Sequence, residues 1–183
     1  VNLSEDAWKQ FKEGIGKRQI ERLWVVGSNN ITASIIENSY KRFLEIMQTH
    51  LENLPFLFGY RPSSADFAIY GQLTQLIGLD PTSRAIAHEK SLRTVSWING
   101  LEDLSGIEPE NNPWIGLEEL PESMKSLLQE IGRGYVPALL ENSKALEKGD
   151  ETWETELMGQ LGLRKLSIIK GNVFSGLIKN FIR

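Results

Sequence analysis

Apolar residues recur at spacings of three and four along most of this chain, with polar residues between them, which is the period of helices packing through one face. The first segment, Ser4 to Val26, places Trp8, Phe11, Ile15, Ile20, Leu23, Trp24 and Val26 among many charges. Ser4-Glu5-Asp6 reads as a cap and an acidic first turn, while Gly14 and Gly16 predict a long helix bent or weak at its middle. Gly27-Ser28-Asn29-Asn30 is a turn cluster with Asn30 or Thr32 as the next cap. Ile36, Tyr40, Phe43, Met47 and Leu51 then share one face of an amphipathic helix running to about Asn53. Leu54 to Gly59 is an apolar connector too short for a helix. It leads to Ser63 and Asp66, in the S-x-x-D spacing of a capping box with Asp in place of Glu or Gln, and to Pro62 and Phe67, placed as a hydrophobic staple. From Phe67 to Ile77 no polar face is left, so the pattern predicts a buried central helix starting at Ser63 and surrounded by the others.

Asp80-Pro81 starts the next helix, which should run through Ile86, Leu92, Val95, Trp97, Ile98 and Leu101 to near Gly106. Ile107 to Leu120 carries Pro109, Asn111-Asn112 and Pro113 and reads as a loop. Pro121 opens a helix striped by Met124, Leu127, Leu128 and Ile131, which Gly132, Gly134 and Pro137 kink or divide before the pattern resumes and stops at Gly149. Asp150 to Met158 is polar and extended, and a last helix carries Leu166, Ile169, Val173 and Leu177 on one face. No alternating strand pattern is visible. The fold class is therefore all-α, and 183 residues of ordinary composition predict one domain, 1–183.

The run Gly59-x-x-Pro62-Ser63-x-Ala65-Asp66-Phe67-x-x-Tyr70-Gly71 resembles the folding motif at the start of the core helix in the C-terminal, all-helical domain of glutathione transferases. His88-Glu89-Lys90 with Trp97 and Glu102-Asp103-x-Ser105-Gly106, and later Tyr135-Val136-Pro137 with Leu139, Leu140, Asn142, Ala145, Leu146 and Gly149, are similar to one bacterial branch of that family. The resemblance runs from about Ser4 to the chain end, is strongest over Gly59 to Gly149, and lacks the family's Trp-Leu-Arg-type ending. It implies a glutathione transferase C-terminal-like helical bundle. It also implies a thioredoxin-like domain ahead of Val1 that holds the catalytic residue and binds glutathione as co-substrate, a homodimer, and a small hydrophobic electrophile as substrate. In that scheme the first helix faces the thioredoxin-like domain, and this chain supplies the hydrophobic site and part of the dimer interface. The same fold also serves as a non-catalytic interaction module, the second reading.

The candidate chemistry is sparse. Trp8, Phe11, Trp24 and Tyr40 can line an apolar pocket for an electrophile, or pack the helix hairpin or a domain interface, as aromatics more often do. Arg18 and Arg22, one turn apart, can bind an anionic group or lie on a solvated face. Capping preference assigns Ser63 and Asp66 to structure and not to catalysis, and no catalytic residue, cofactor site or metal site is read in this chain. Gly14-x-Gly16-Lys17 lacks the remaining residues of a phosphate loop and follows no strand. His50 and His88 have no ligand spacing and read as surface or capping groups. A net charge of −4 speaks against nucleic acid. The absence of Cys removes disulfides and thiolate chemistry and fits a reducing cytosol, so the chain reads as cytoplasmic, with no membrane span. The basic last helix, with Arg164, Lys165, Lys170, Lys179 and Arg183, suits anionic lipid or an acidic partner, but snorkelled charges over a docking helix explain it more simply.

Overall fold

Three helix starts are each set by a short polar side chain that accepts the N–H three residues on, Ser4 from Ala7, Asp80 from Ser83 and Ser91 from Thr94, and Asn29 accepts from Thr32 in the same way in the turn before the helix that begins at Ala33. The computed structural model describes residues 4–23, 28–108, 114–150, 155–157 and 160–162. They form α1 (Glu5–Glu21), α2 (Ala33–His50), α3 (Ser64–Gly78), α4 (Pro81–Lys90), α5 (Leu92–Leu101), α6 (Glu122–Glu130) and α7 (Val136–Lys148), with a π turn over Ile131–Tyr135. Two short strands, β1 (Thr155–Leu157) and β2 (Gln160–Gly162), pair antiparallel with Glu156 opposite Leu161. The described chain is thus predominantly helical. Three-residue strands are too short to show a period of two, so the hairpin left no pattern in the sequence. The last helix read from the sequence, and Trp24, lie outside the described residues.

Residues 37–132 form one compact unit; 1–36 and 133–183 form the other. Within the first, α3 meets α4 and α5. Leu44 of α2, Leu73 and Ile77 of α3, Ala87 of α4 and Ile98 of α5 make one core cluster. Met47, Leu57, Met124 and Leu127 make a second, and Phe43, Ile69 and Trp97 pack against both. Arg42 Nε donates to Glu130 at 2.8 Å, tying α2 to α6, and the Tyr40 hydroxyl donates to the Ser83 carbonyl at 3.2 Å, tying α2 to α4. Arg84 closes the end of α3 by donating to the Ile77 and Gly78 carbonyls.

Three expectations change here. The central helix is packed on one side only: Asp66, Leu73 and Ile77 are buried, whereas Phe67 is 49% exposed and Leu76 and Leu79 face solvent. Its apolar residues are spread around the axis, and those on the far side have no covering helix within the unit. The single helix expected from Pro81 is two, broken at Ser91, whose φ of −154° and ψ of 81° leave the helix. Ser91 is buried and shares a 2.6 Å bond with Thr94, and Gln48 of α2 accepts both the Ser91 hydroxyl and the Arg93 N–H, so the Arg93 N–H freed by the break has a partner, as the Thr94 N–H has in Ser91. The amphipathic face of α2 is rotated, with Leu44, Met47 and His50 buried and Ile36 exposed.

In the other unit α1 runs unbroken through Gly14 and Gly16, which weaken a helix by propensity. Ahead of α2, Asn29 Oδ1 accepts the Ile31 and Thr32 N–H groups while the Asn29 N–H donates to Thr32 Oγ1, so Asn29 closes the turn that leads in, and Thr32, one of the two expected caps, flanks the first helical residue with its carbonyl accepting the Ile36 N–H. α7 ends in a Schellman motif: Gly149, at φ 75°, gives its N–H to Leu146 and Asp150 gives its own to Ala145.

Candidate functional site

The entry to α3 is built on polar contacts around one buried carboxylate. Asp66 is fully buried, and its carboxylate accepts three bonds. Oδ1 takes the Leu57 N–H at 2.8 Å, and Oδ2 takes the Ser63 N–H at 2.8 Å and the Ser63 hydroxyl at 2.6 Å. Ser63 and Asp66 therefore stand as a capping box whose short bonds lie on the aspartate, the Asp66 N–H going to the Ser63 carbonyl at 3.1 Å. A buried carboxylate without partners would be prohibitive; three donors and the helix N-terminus hold this one. All three of these bonds go to the backbone and the cap, which is the work of a structural residue.

The connector that Asp66 reaches is held just as tightly. Phe56 and Gly59 exchange two N–H to carbonyl bonds of 3.2 Å, a turn that Gly59 closes at φ 127°, where a side chain would strain the backbone. The Trp97 indole donates to the Pro55 carbonyl at 2.9 Å and the Ile115 N–H to the Phe58 carbonyl at 2.7 Å. His50 Nε2 lies 3.0 Å from the Phe56 carbonyl, which only accepts, so Nε2 carries a proton. In the neutral ring this leaves Nδ1 to accept from the Ser123 hydroxyl at 2.9 Å. A serine and a histidine at this distance also have the geometry of a nucleophile and its base. Here both ring nitrogens are held and the ring is 2% exposed, so the pair serves as a buried tie between α2, the connector and α6. The expectation of a surface or capping histidine at position 50 is thus corrected: His50 lies in the interior, whereas His88 is exposed on α4.

On α1, Trp8 and Phe11 make an edge-to-face pair with centroids 5.8 Å apart. With Ile15 they form a stripe at i, i+3 and i+7 that Arg18 and Arg22 continue. All five side chains are exposed, and α1 buries none of its residues. Tyr40 belongs to the other unit, where it is half-buried against α4 and its hydroxyl is engaged by Ser83. Burial, and then the Asp80 carboxylate, push the Tyr40 phenol above its ordinary value. Asp80, capping α4, is held below the usual carboxylate range by the Ser83 hydroxyl and N–H. Among the described residues no group of three His, Cys, Asp or Glu side chains is placed to hold a metal, and no helix is long and apolar enough to cross a membrane.

No family model, curated protein or solved structure matches this chain. The contacts that sequence reasoning missed are those of Gln48 at the Ser91 break and of His50, Trp97 and Ser123 around the connector. Each bonds across a fold that brings distant positions together, and no local spacing announces such a contact.

Proposed function

We propose that this chain is a helical docking domain of the glutathione transferase C-terminal type. The 37–132 unit holds both clusters of buried apolar side chains, and α1, in the other unit, carries the surface that receives another folded chain. The observation behind this reading is α1 itself: it has no buried residue and shows Trp8 at 44%, Phe11 at 52% and Ile15 at 45% exposure along one stripe. An exposed apolar stripe of this kind marks an interaction surface. Binding of a hydrophobic dye tests it. The chain should enhance the dye's fluorescence, and Trp8→Asp with Phe11→Asp should abolish the enhancement while leaving the circular dichroism of the folded unit intact. An absence of dye binding, together with the blue-shifted emission of a buried indole at Trp8, would overturn it.

A second reading draws on the run Gly59 to Gly71 and the capping box built from it. In it the parent protein is a glutathione transferase-like enzyme. A thioredoxin-like domain supplies the glutathione site, and Trp8, Phe11, Arg18 and Arg22 border the place of an apolar electrophile. On this reading the present chain alone does not conjugate glutathione, because the activating residue lies in the other domain. Conjugation of a generic aromatic electrophile by this chain above the buffer background would refute it.

A further inference from the structure

We infer that Ser123, His50 and the peptide between Phe56 and Leu57 form one directional hydrogen-bond relay ending on the Asp66 carboxylate. Through it the end of α2 and the starts of α3 and α6 open as a single unit.

The two groups that His50 and Asp66 hold belong to the same peptide. His50 Nε2 donates to its carbonyl, that of Phe56, at 3.0 Å, and its N–H, that of Leu57, donates to Asp66 Oδ1 at 2.8 Å. Behind the ring, the Ser123 hydroxyl donates to Nδ1 at 2.9 Å. Every donor in this series points the same way, from the first turn of α6 through the last residue of α2 to the first turn of α3, and the final acceptor carries a negative charge. The other tautomer would set a ring lone pair against the Phe56 carbonyl, so that carbonyl fixes the direction. A carbonyl that accepts a bond gives up electron density, which makes the N–H of the same peptide a better donor, so each bond strengthens the next. His50, Phe56, Leu57 and Asp66 are all buried, where a missing member is not replaced by bulk water. A break at any point therefore weakens the bond at Asp66, and α3 does not fray at its start while α2 and α6 stay closed.

The test uses the full chain. A glutamine at position 50 can place a donor where Nε2 stands, whereas asparagine is too short to reach the Phe56 carbonyl. Read by NMR, the Leu57 amide proton should hold its low-field position in His50→Gln and move to higher field in His50→Asn. It should also move, by less, in Ser123→Ala, which touches neither Leu57 nor Asp66 and is mild enough to leave the fold standing. Asp66→Asn should lower the folding equilibrium constant about fivefold less, or better, when His50→Asn is already present. Amide exchange of the unmodified chain needs no substitution: Leu54, Leu57, Ser63 and Lys125 should report one common opening equilibrium. Additive losses at positions 50 and 66, or a Leu57 proton that Ser123→Ala leaves in place, would overturn the relay. Exchange at Ser63 about tenfold or more faster than at Lys125 would overturn the joint opening.

Discussion

Removing the Asp66 carboxylate strands three donors, two of them backbone N–H groups. Asp66→Ala should therefore cost about 3 kcal/mol, more than a simple exposed cap, because each buried donor left unpaired costs on the order of 1–3 kcal/mol. The midpoint of thermal unfolding should fall by about 10 °C, and an unchanged midpoint would show that the cap does not hold this helix. Tyr40 offers a test on the alkaline side. Its phenol is raised above 10.0 by burial and by Asp80, so its contribution to stability is complete below the ordinary phenol value and is lost as pH rises through the raised one. Absorbance at the phenolate band should show a late-ionising step that Tyr40→Phe removes. Asp66 was legible because a capping box is written in four consecutive residues. Its bond to Leu57 was not, since nothing local says which N–H a carboxylate will find outside its own helix. His50 misled for the same reason: a lone histidine without ligand spacing gives no sign that a carbonyl and a hydroxyl from other elements will meet its ring.

Helix boundaries were legible where one residue type decides them. Asp80-Pro81, Pro121, the Gly132 to Pro137 interruption and Gly149 all mark ends or turns in the structure. The break at Ser91 was hidden because continuous apolar spacing crosses it, and what stabilises it is Gln48, on another helix. Gly14 and Gly16 do not interrupt α1, because glycine permits a break but does not impose one. A Cβ at either position would meet nothing within 4 Å. Gly14→Ala and Gly16→Ala should thus each stabilise α1 by up to about 1 kcal/mol. Circular dichroism should show more helix, and a fall in helical signal would mean that these positions are constrained by something pressed against them.

At the scale of the whole molecule, the predominantly helical character followed from the period of the apolar residues. The division into two units did not, because both read with the same period. Both clusters of buried apolar side chains lie inside 37–132, so amides of α2, α3 and α5 should exchange with solvent slowest, and those of α1 fastest in dilute solution. Uniform protection across α1 and α3 at low concentration would contradict this. The connector before α3 carries a further consequence, for rates rather than for energies. Its clamps join residues far apart in sequence, His50 to Ser123 across 73 positions and Trp97 to Pro55 across 42. Such contacts require the helices to be assembled already, which places them after the main barrier on the folding path. Trp97→Phe should then leave the refolding limb of a stopped-flow chevron nearly unmoved and steepen the escape from the native state, with nearly all of its stability loss appearing as faster unfolding. The clamps act as a latch, setting how long the folded domain survives once made and having little influence on how quickly it forms.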